Sequence, residues 1–501
     1  MTVKFATITG FTVSNAVALA VNTVLAMGRS FPVKGQSGIR RSRFATPWLS
    51  LGLALAHSAC AAAPGPKVTK AGSVLDGLDL SGPMIQFPPA TGLPVQRPNA
   101  ELAQDFLDLE FHLESGLALP VVTRFDGPVT VSMTGPVPAT ARADLGALIA
   151  RLQTEAGLAL TLLPDGSQAS LTLAFTPSRL LHKIEPSAAC FVIPNVASLA
   201  EYRAKRGSDA LDWARMRSRS RATLFLPSDT SPQDLRDCLH EETAQALGPL
   251  NDLYRLPDSV FNDDNFQSVL TAFDMLMLRL HYAPELASGM TEAEVAAKLP
   301  ALLTRLNPTG DGGSAWSARQ TPPLWVASVA RAVNPKTAPA ARLTAANQSL
   351  GLALAAGWQD NRLGFAYFIL GRVLTRRDPA RAEAAFRAAA GVYQSLPDDG
   401  VHLSHALVQL CAMALAKGQD DQAIVLADQA IPLASRAQNA ALLATLDQMK
   451  AEALAAQGHV TEAAALRLDS LPAARYGFGT VPQVRAHAAE IAAIARMSQH
   501  G

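Results

Sequence analysis

The sequence predicts an α+β domain with a mixed sheet, followed by an all-α domain of helical repeats. Between residues 101 and 310, short β-rich runs alternate with stretches of helical apolar spacing. Residues 320–498 are alanine-heavy and carry almost no β signal. Within that second region the chain repeats: Gly418 and Gly458 stand 40 residues apart, as do Ala423 and Ala463.

A chain of 501 residues has room for about two to four domains. With 49% hydrophobic and 17% charged residues, it can bury a large core. The 43 basic and 42 acidic side chains nearly cancel, and no basic run or aromatic-basic stripe is present. Nucleic acid is therefore not an expected partner.

Residues 1–60 read as an N-terminal extension plus an export signal. "RRSRF" (40–44) is a basic start, and "TPWLSLGLALAHSA" (46–59) is an apolar segment too short to span a bilayer comfortably. Ser58-Ala59-Cys60 places a cysteine after two small residues, the arrangement of a lipidated cysteine in a lipoprotein signal. His57 stands where such signals usually carry Leu, so a plain cut near Ala61–Ala63 is the alternative. Residues 7–27 are the alternative membrane anchor, and Met27 an alternative start. The expected location is the periplasm or the envelope membrane, with membrane contact only through this segment. Oxidising compartments favour disulfides. Cys190 and Cys238 fall in one predicted domain and are expected to pair, whereas Cys411 lies mid-helix among apolar residues.

Residues 61–100 are rich in Pro, Gly and Ala and read as a linker. In the domain spanning 101–310, strands are expected at 129–133 and 221–227, with a hairpin from 158–163 to 169–175. Leu145, Leu148, Ile149 and Leu152 predict a helix over 139–157. Ser231-Pro232 opens another, since Ser caps well and Pro suits the first helical position; it should stop near Gly248-Pro249. A third is expected over 264–282, with Phe266, Val269, Leu270, Phe273, Leu276 and Leu280 on one face. A fourth starts at the Thr291–Glu294 capping box.

In the 320–498 region, Leu370-Gly371, Ala382, Phe386 and Ala389 fall close to the Leu-Gly, Ala, Phe and Ala positions of the tetratricopeptide repeat. The region resembles that family, with a longer period than its usual ~34 residues. The resemblance implies stacked antiparallel helix pairs that present a groove to a protein or peptide partner.

The segment "CLHEETAQALGPLND" (238–252) carries the residues most suggestive of chemistry. Read from His240, a zinc-protease helix needs a second His four residues on, but Ala244 stands there. Read from Glu241, the segment becomes E-E-x-x-Q-x-x-G-x-x-N. This has the spacing of the metzincin pattern H-E-x-x-H-x-x-G-x-x-H. In that frame Glu242 is the general base, and Glu241, Gln245 and Asn251 fill the metal slots, with Asp252 as a further oxygen ligand. The segment thus resembles a degenerate zincin helix. Zinc prefers nitrogen and sulfur, so an oxygen set of this kind suits Ca²⁺ or Mg²⁺ better than Zn²⁺, or no metal at all.

The same core, followed by "SVFNDDNF" and "LRLHYAPELASGM", resembles the exported proteobacterial family called domain-of-unknown-function 2927, whose members are often described as lipoproteins. The resemblance covers about 100–310 and implies export without an established activity. The expected function is therefore an envelope protein with a non-catalytic zincin-like domain coupled to a protein-binding scaffold. The alternative is a metal-dependent peptidase using Glu242.

Overall fold

The structure is a computed structural model that describes residues 75, 80, 82–88, 95–186, 188–312, 320–397 and 400–499. The expected export signal and Cys60 lie outside the described residues.

The N-terminal domain opens with α1 (Asn99–Glu110) and then lays down β1 (Val129–Thr134), α2 (Ala141–Glu155), β2 (Leu160–Leu162) and β3 (Leu171–Thr176). After α3 (Ser178–Ile184) come β4 (Phe191–Pro194), α4 (Leu199–Lys205) and β5 (Ala222–Pro227). The domain ends with α5 (Pro232–Leu247), α6 (Ala272–His281) and α7 (Glu292–Leu306). The sheet order is β2-β1-β3-β5-β4. All pairings are parallel except β4 on β5, where Phe191 faces Phe225 and Pro194 faces Ala222.

The expected hairpin is a correction. β2 and β3 do not pair with each other; they flank β1 on opposite sides, both parallel to it. A Pro-Asp-Gly turn reads locally as a hairpin. Here α2 carries the chain back before β2, and the 163–170 connection carries it back again before β3, so both strands run in the direction of β1. β4 was not anticipated: four residues buried on both faces have no alternation to reveal them.

Helix α5 follows its sequence signals. The Ser231 side chain accepts a hydrogen bond from the backbone N–H of Asp234, Pro232 starts the helix, and Gly248 ends it. A Cβ at Gly248 would sit 2.8 Å from Leu278, so the close approach of α6 requires glycine there. Cys190 and Cys238 form a disulfide that staples α5 to the edge strand β4. On the chain-entropy view, closing a loop of this length stabilises the fold by about 4 kcal/mol.

The expected 264–282 helix is shorter than its apolar pattern. Only Ala272–His281 is helical, started by a Thr271–Asp274 capping box. Asp264 and Asn262 hydrogen-bond each other and the local backbone, turning 262–266 out of the helix. Phe266, freed from the helix face, is buried in the other domain.

That domain is all helix: α8 (Pro323–Val333), α9 (Pro339–Ala355), α10 (Asn361–Leu374), α11 (Pro379–Gln394), α12 (Gly400–Ala416) and α13 (Asp420–Arg436). It continues with α14 (Ala440–Ala456), α15 (Val460–Asp469), α16 (Leu471–Phe478) and α17 (Val481–Ala495). Gly418 and Gly458 each turn one helix into the next with φ of 67° and 85°, conformations that suit glycine. Gly371 lets α10 close on α11, since a Cβ there would lie 2.7 Å from Phe386. Within the stretch read as a linker, Met84, Ile85 and Phe87 pack on this helical core, and Ile85 donates its N–H to the Pro472 carbonyl at 3.0 Å. Among the described residues no helix is long and apolar enough to cross a membrane.

Candidate functional site

The segment from α5 to α6 gathers most of the residues singled out in the sequence. His240 is not available as a ligand. It is buried, and its Nδ1 accepts the Leu270 N–H at 3.1 Å. Burial, with Arg236 and Arg151 nearby, holds its pKa well below the usual histidine range, so it stays neutral. Glu242 is only 2% exposed, on the inward side of α5. Met277 is wholly buried in α6, and Met290 packs at the edge of the core.

Glu241, Gln245 and Asp252 converge at the C-terminal end of α5. The Gln245 amide donates to the Asp252 carboxylate at 3.2 Å, and Glu241 acts electrostatically on the same carboxyl. Asn251 is held elsewhere: its amide donates to the Asp108 carbonyl at 2.8 Å. Asp263, another of the acids that follow α5 and could add oxygens, and Glu114, which the sequence pattern did not suggest, complete the group. Glu114, from the turn after α1, and Asp263 join Asp252, with one oxygen of each carboxyl within 4.8 Å of the others. Burial, and then Glu114, Asp263 and Glu241, push the Asp252 pKa well above the usual carboxyl range. Among the described residues, Glu114, Asp252 and Asp263 are the set that could hold a cation, and an all-oxygen donor set fits Ca²⁺ or Mg²⁺. Nothing local marks Glu114, which lies 118 positions before the start of α5 (232 − 114).

This crowding sets a pH dependence. The folded pKa of Asp252 lies above its ordinary value of 3.8, so the folded state binds that proton more tightly than the unfolded chain. The resulting stability is present below about pH 4 and is lost as pH rises through the folded value. In chelator, Asp252→Asn should raise the Tm at pH 7.5 by about 2–4 °C, a gain that shrinks towards pH 4. Thermal melts across that range check it; a wild-type-minus-variant difference independent of pH would refute it.

The end of α5 is closed by groups the sequence did not reveal. Arg219 is buried and donates to the carbonyls of Gln245 and Ala246, both at 2.8 Å, and of Gly248 at 2.6 Å. The Tyr282 hydroxyl donates to the Leu247 carbonyl at 2.8 Å. Beneath them, the fully buried His281 and Glu110 side chains meet at 2.7 Å.

The other face of α5 belongs to the helical domain. Arg236 donates to the Gln438 carbonyl and lies over the Phe87 and Tyr476 rings. Gln233 accepts the Ala440 N–H at 2.9 Å. Farther along, His402 meets Asp264 at 2.7 Å, and Phe266 packs against Phe365, Phe368 and His405. Beside these contacts the two domains enclose a cleft of about 1840 Å³.

No curated protein and no solved structure matches the chain. Residues 99–301, the sheet domain with its α5 segment, match the model of a family described as protein of unknown function (DUF2927).

Proposed function

We propose that this chain is an exported envelope protein in which a degenerate zincin-like domain serves as a non-catalytic platform, joined to tetratricopeptide-like repeats that dock a protein partner. The burial of Glu242 carries this reading: a general base must reach a water or a substrate proton, and a side chain 2% exposed does neither. The metal slots support it too, since none of Glu241, Gln245 and Asn251 offers nitrogen or sulfur to zinc. The zincin resemblance draws on a mixed sheet whose last strand leads directly into α5. The repeat resemblance draws on the antiparallel helix pairs and their 40-residue step. For export, the signal-like residues 40–60, with Cys60 as the candidate lipidation site, are joined by the Cys190–Cys238 disulfide, which suits an oxidising compartment.

A second reading, a metal-dependent peptidase with oxygen ligands, draws on the Glu114, Asp252 and Asp263 group. One experiment separates the two. The purified chain is analysed for bound Zn, Ca and Mg and assayed on mixed peptide substrates beside Glu242→Gln. The platform reading expects no Glu242-dependent cleavage, whatever the metal content. Cleavage that requires both stoichiometric metal and Glu242 would replace it with the peptidase.

A further inference from the structure

One layer of the sheet domain stands apart in charge. Residues 178–221 carry nine basic and four acidic side chains, a net +5, in a chain whose formal net charge is +1. Residues 1–60 hold six basic and no acidic side chains, so the rest of the chain from residue 61 onward carries −10 (1 − 6 − 5). A basic layer therefore covers part of an acidic body.

The fold turns those charges outward. Leu224 and Leu226 of β5 face the core shared with α5, and Phe225 points to the opposite face of the sheet. There Leu181 and Ile184 of α3, Tyr202 of α4 and Leu211 close on Phe225, Phe191 and Ile193. Each helix buries that side and leaves its basic residues in solvent: Arg179 and Lys183 on α3, Arg203 and Arg206 on and just after α4. Arg217 joins them from the loop that leads into β5. These five side chains are exposed and form no ion pair among the described residues. The other bases are engaged: Lys205 and Arg221 with Glu201, Arg215 with Asp209 and Asp212, and Arg219 inward on the end of α5. Of the remaining acids nearby, Glu185 is half-buried and Asp229 is tied to Ser178. The free charges come from three segments, so no run in the sequence announces them.

The surroundings of these charges narrow the partner. No large apolar side chain is exposed in 178–221 among the described residues, whereas a stable protein interface has an apolar centre. Tyr202 and Trp213 are buried, so neither ring is offered for a nucleic-acid base to stack on. Long basic side chains without an apolar centre suit a fluid layer of anionic headgroups, which demands charge and no fixed complementarity.

We propose that this layer rests on a membrane surface containing anionic phospholipids, and so sets which side of the sheet domain faces the bilayer. This rests on the envelope reading above, which brings a bilayer within reach of the chain. A basic patch and a lipid anchor together hold a protein at a membrane more firmly than either alone. The acidic remainder is repelled by the same surface, so both parts of the charge distribution favour one orientation.

The test sediments the full chain with vesicles of phosphatidylcholine alone or of phosphatidylcholine with phosphatidylglycerol. Binding to the first measures what residues 1–60 contribute, and the excess on the second measures the patch. Each charge at such a surface strengthens binding about fivefold, so Lys183→Glu, Arg203→Glu and Arg206→Glu combined should weaken the excess by about 100-fold or more. Arg331→Glu, Lys336→Glu and Arg485→Glu combined change net charge equally at exposed residues of the helical domain and should keep most of it. Salt at ~1 M, where the Debye length is ~3 Å, should abolish it. Thermal melts of both variants establish folding. The proposal is overturned if anionic vesicles gain no excess, if the patch variant keeps it, or if both variants lose it equally. Tighter binding of duplex DNA or of an acidic protein than of the vesicles would also overturn it. Cell fractionation reads export separately. An exported chain that ignores anionic vesicles ends this proposal and leaves the envelope reading standing, whereas a chain retained in the cytoplasm ends both.

Discussion

Replacing Arg219 with Leu is expected to destabilise the N-terminal domain by about 3–5 kcal/mol. The guanidinium is buried and satisfies three carbonyls at the end of α5. Its charge also sits where the partial negative charge of a helix end accumulates, so attraction and hydrogen bonding act together. Leu keeps an apolar side chain at the site but is shorter than Arg, so it leaves those carbonyls dry and unpaired. Arg219→Lys should lose roughly half as much, because a single ammonium keeps the charge but cannot fork across three acceptors. Urea unfolding measures both. Equal losses for the two variants would mean that packing against Trp213, rather than the fork, explains the effect.

The second large effect is expected at Phe266. Its ring lies 5.2 Å from Phe368 and 5.7 Å from Phe365, and it stacks on His405 at 4.4 Å. Phe266→Ala should cost about 3–5 kcal/mol through lost burial and the cavity left behind. The ring belongs to one domain and its pocket to the other, so the loss falls on their coupling. Calorimetry should resolve two transitions where the wild type shows one. A single transition shifted to lower temperature would mean that the remaining contacts, such as His402 with Asp264, suffice to hold the domains together.

Much of this architecture was legible in the sequence where a signal is local. Ser231-Pro232 and Gly248 bounded α5, Thr291 and Glu294 started α7, and the glycine spacing exposed the helical step. What escaped was decided between distant segments. The 158–175 stretch carries a hairpin's turn residues, yet its strands took parallel places on either side of β1. Residues 264–271 have helical apolar spacing, but Phe266 gained more from the helical domain than from a longer helix. At the site, the convergence of Glu241 and Gln245 followed from helix geometry, and Asp252 lay close by in sequence. Asp263 belongs to the same acidic run after α5, whereas Glu114 and Arg219 came from elsewhere in the fold, and no period or spacing announces them.

The helical array also works as a measured span. It touches the sheet domain near its first helix, where Trp325 meets Tyr254, and near its far end, where the Tyr476 hydroxyl donates to Asp144 at 3.0 Å. Between these points Phe266 and Arg236 engage successive helices. Open solenoids can gain or lose a unit with little penalty, since each repeat touches only its neighbours. This one is fastened along its length, so an extra 40-residue unit would carry Tyr476 out of register with Asp144. The number of helices is thereby fixed by the dimensions of the domain it embraces.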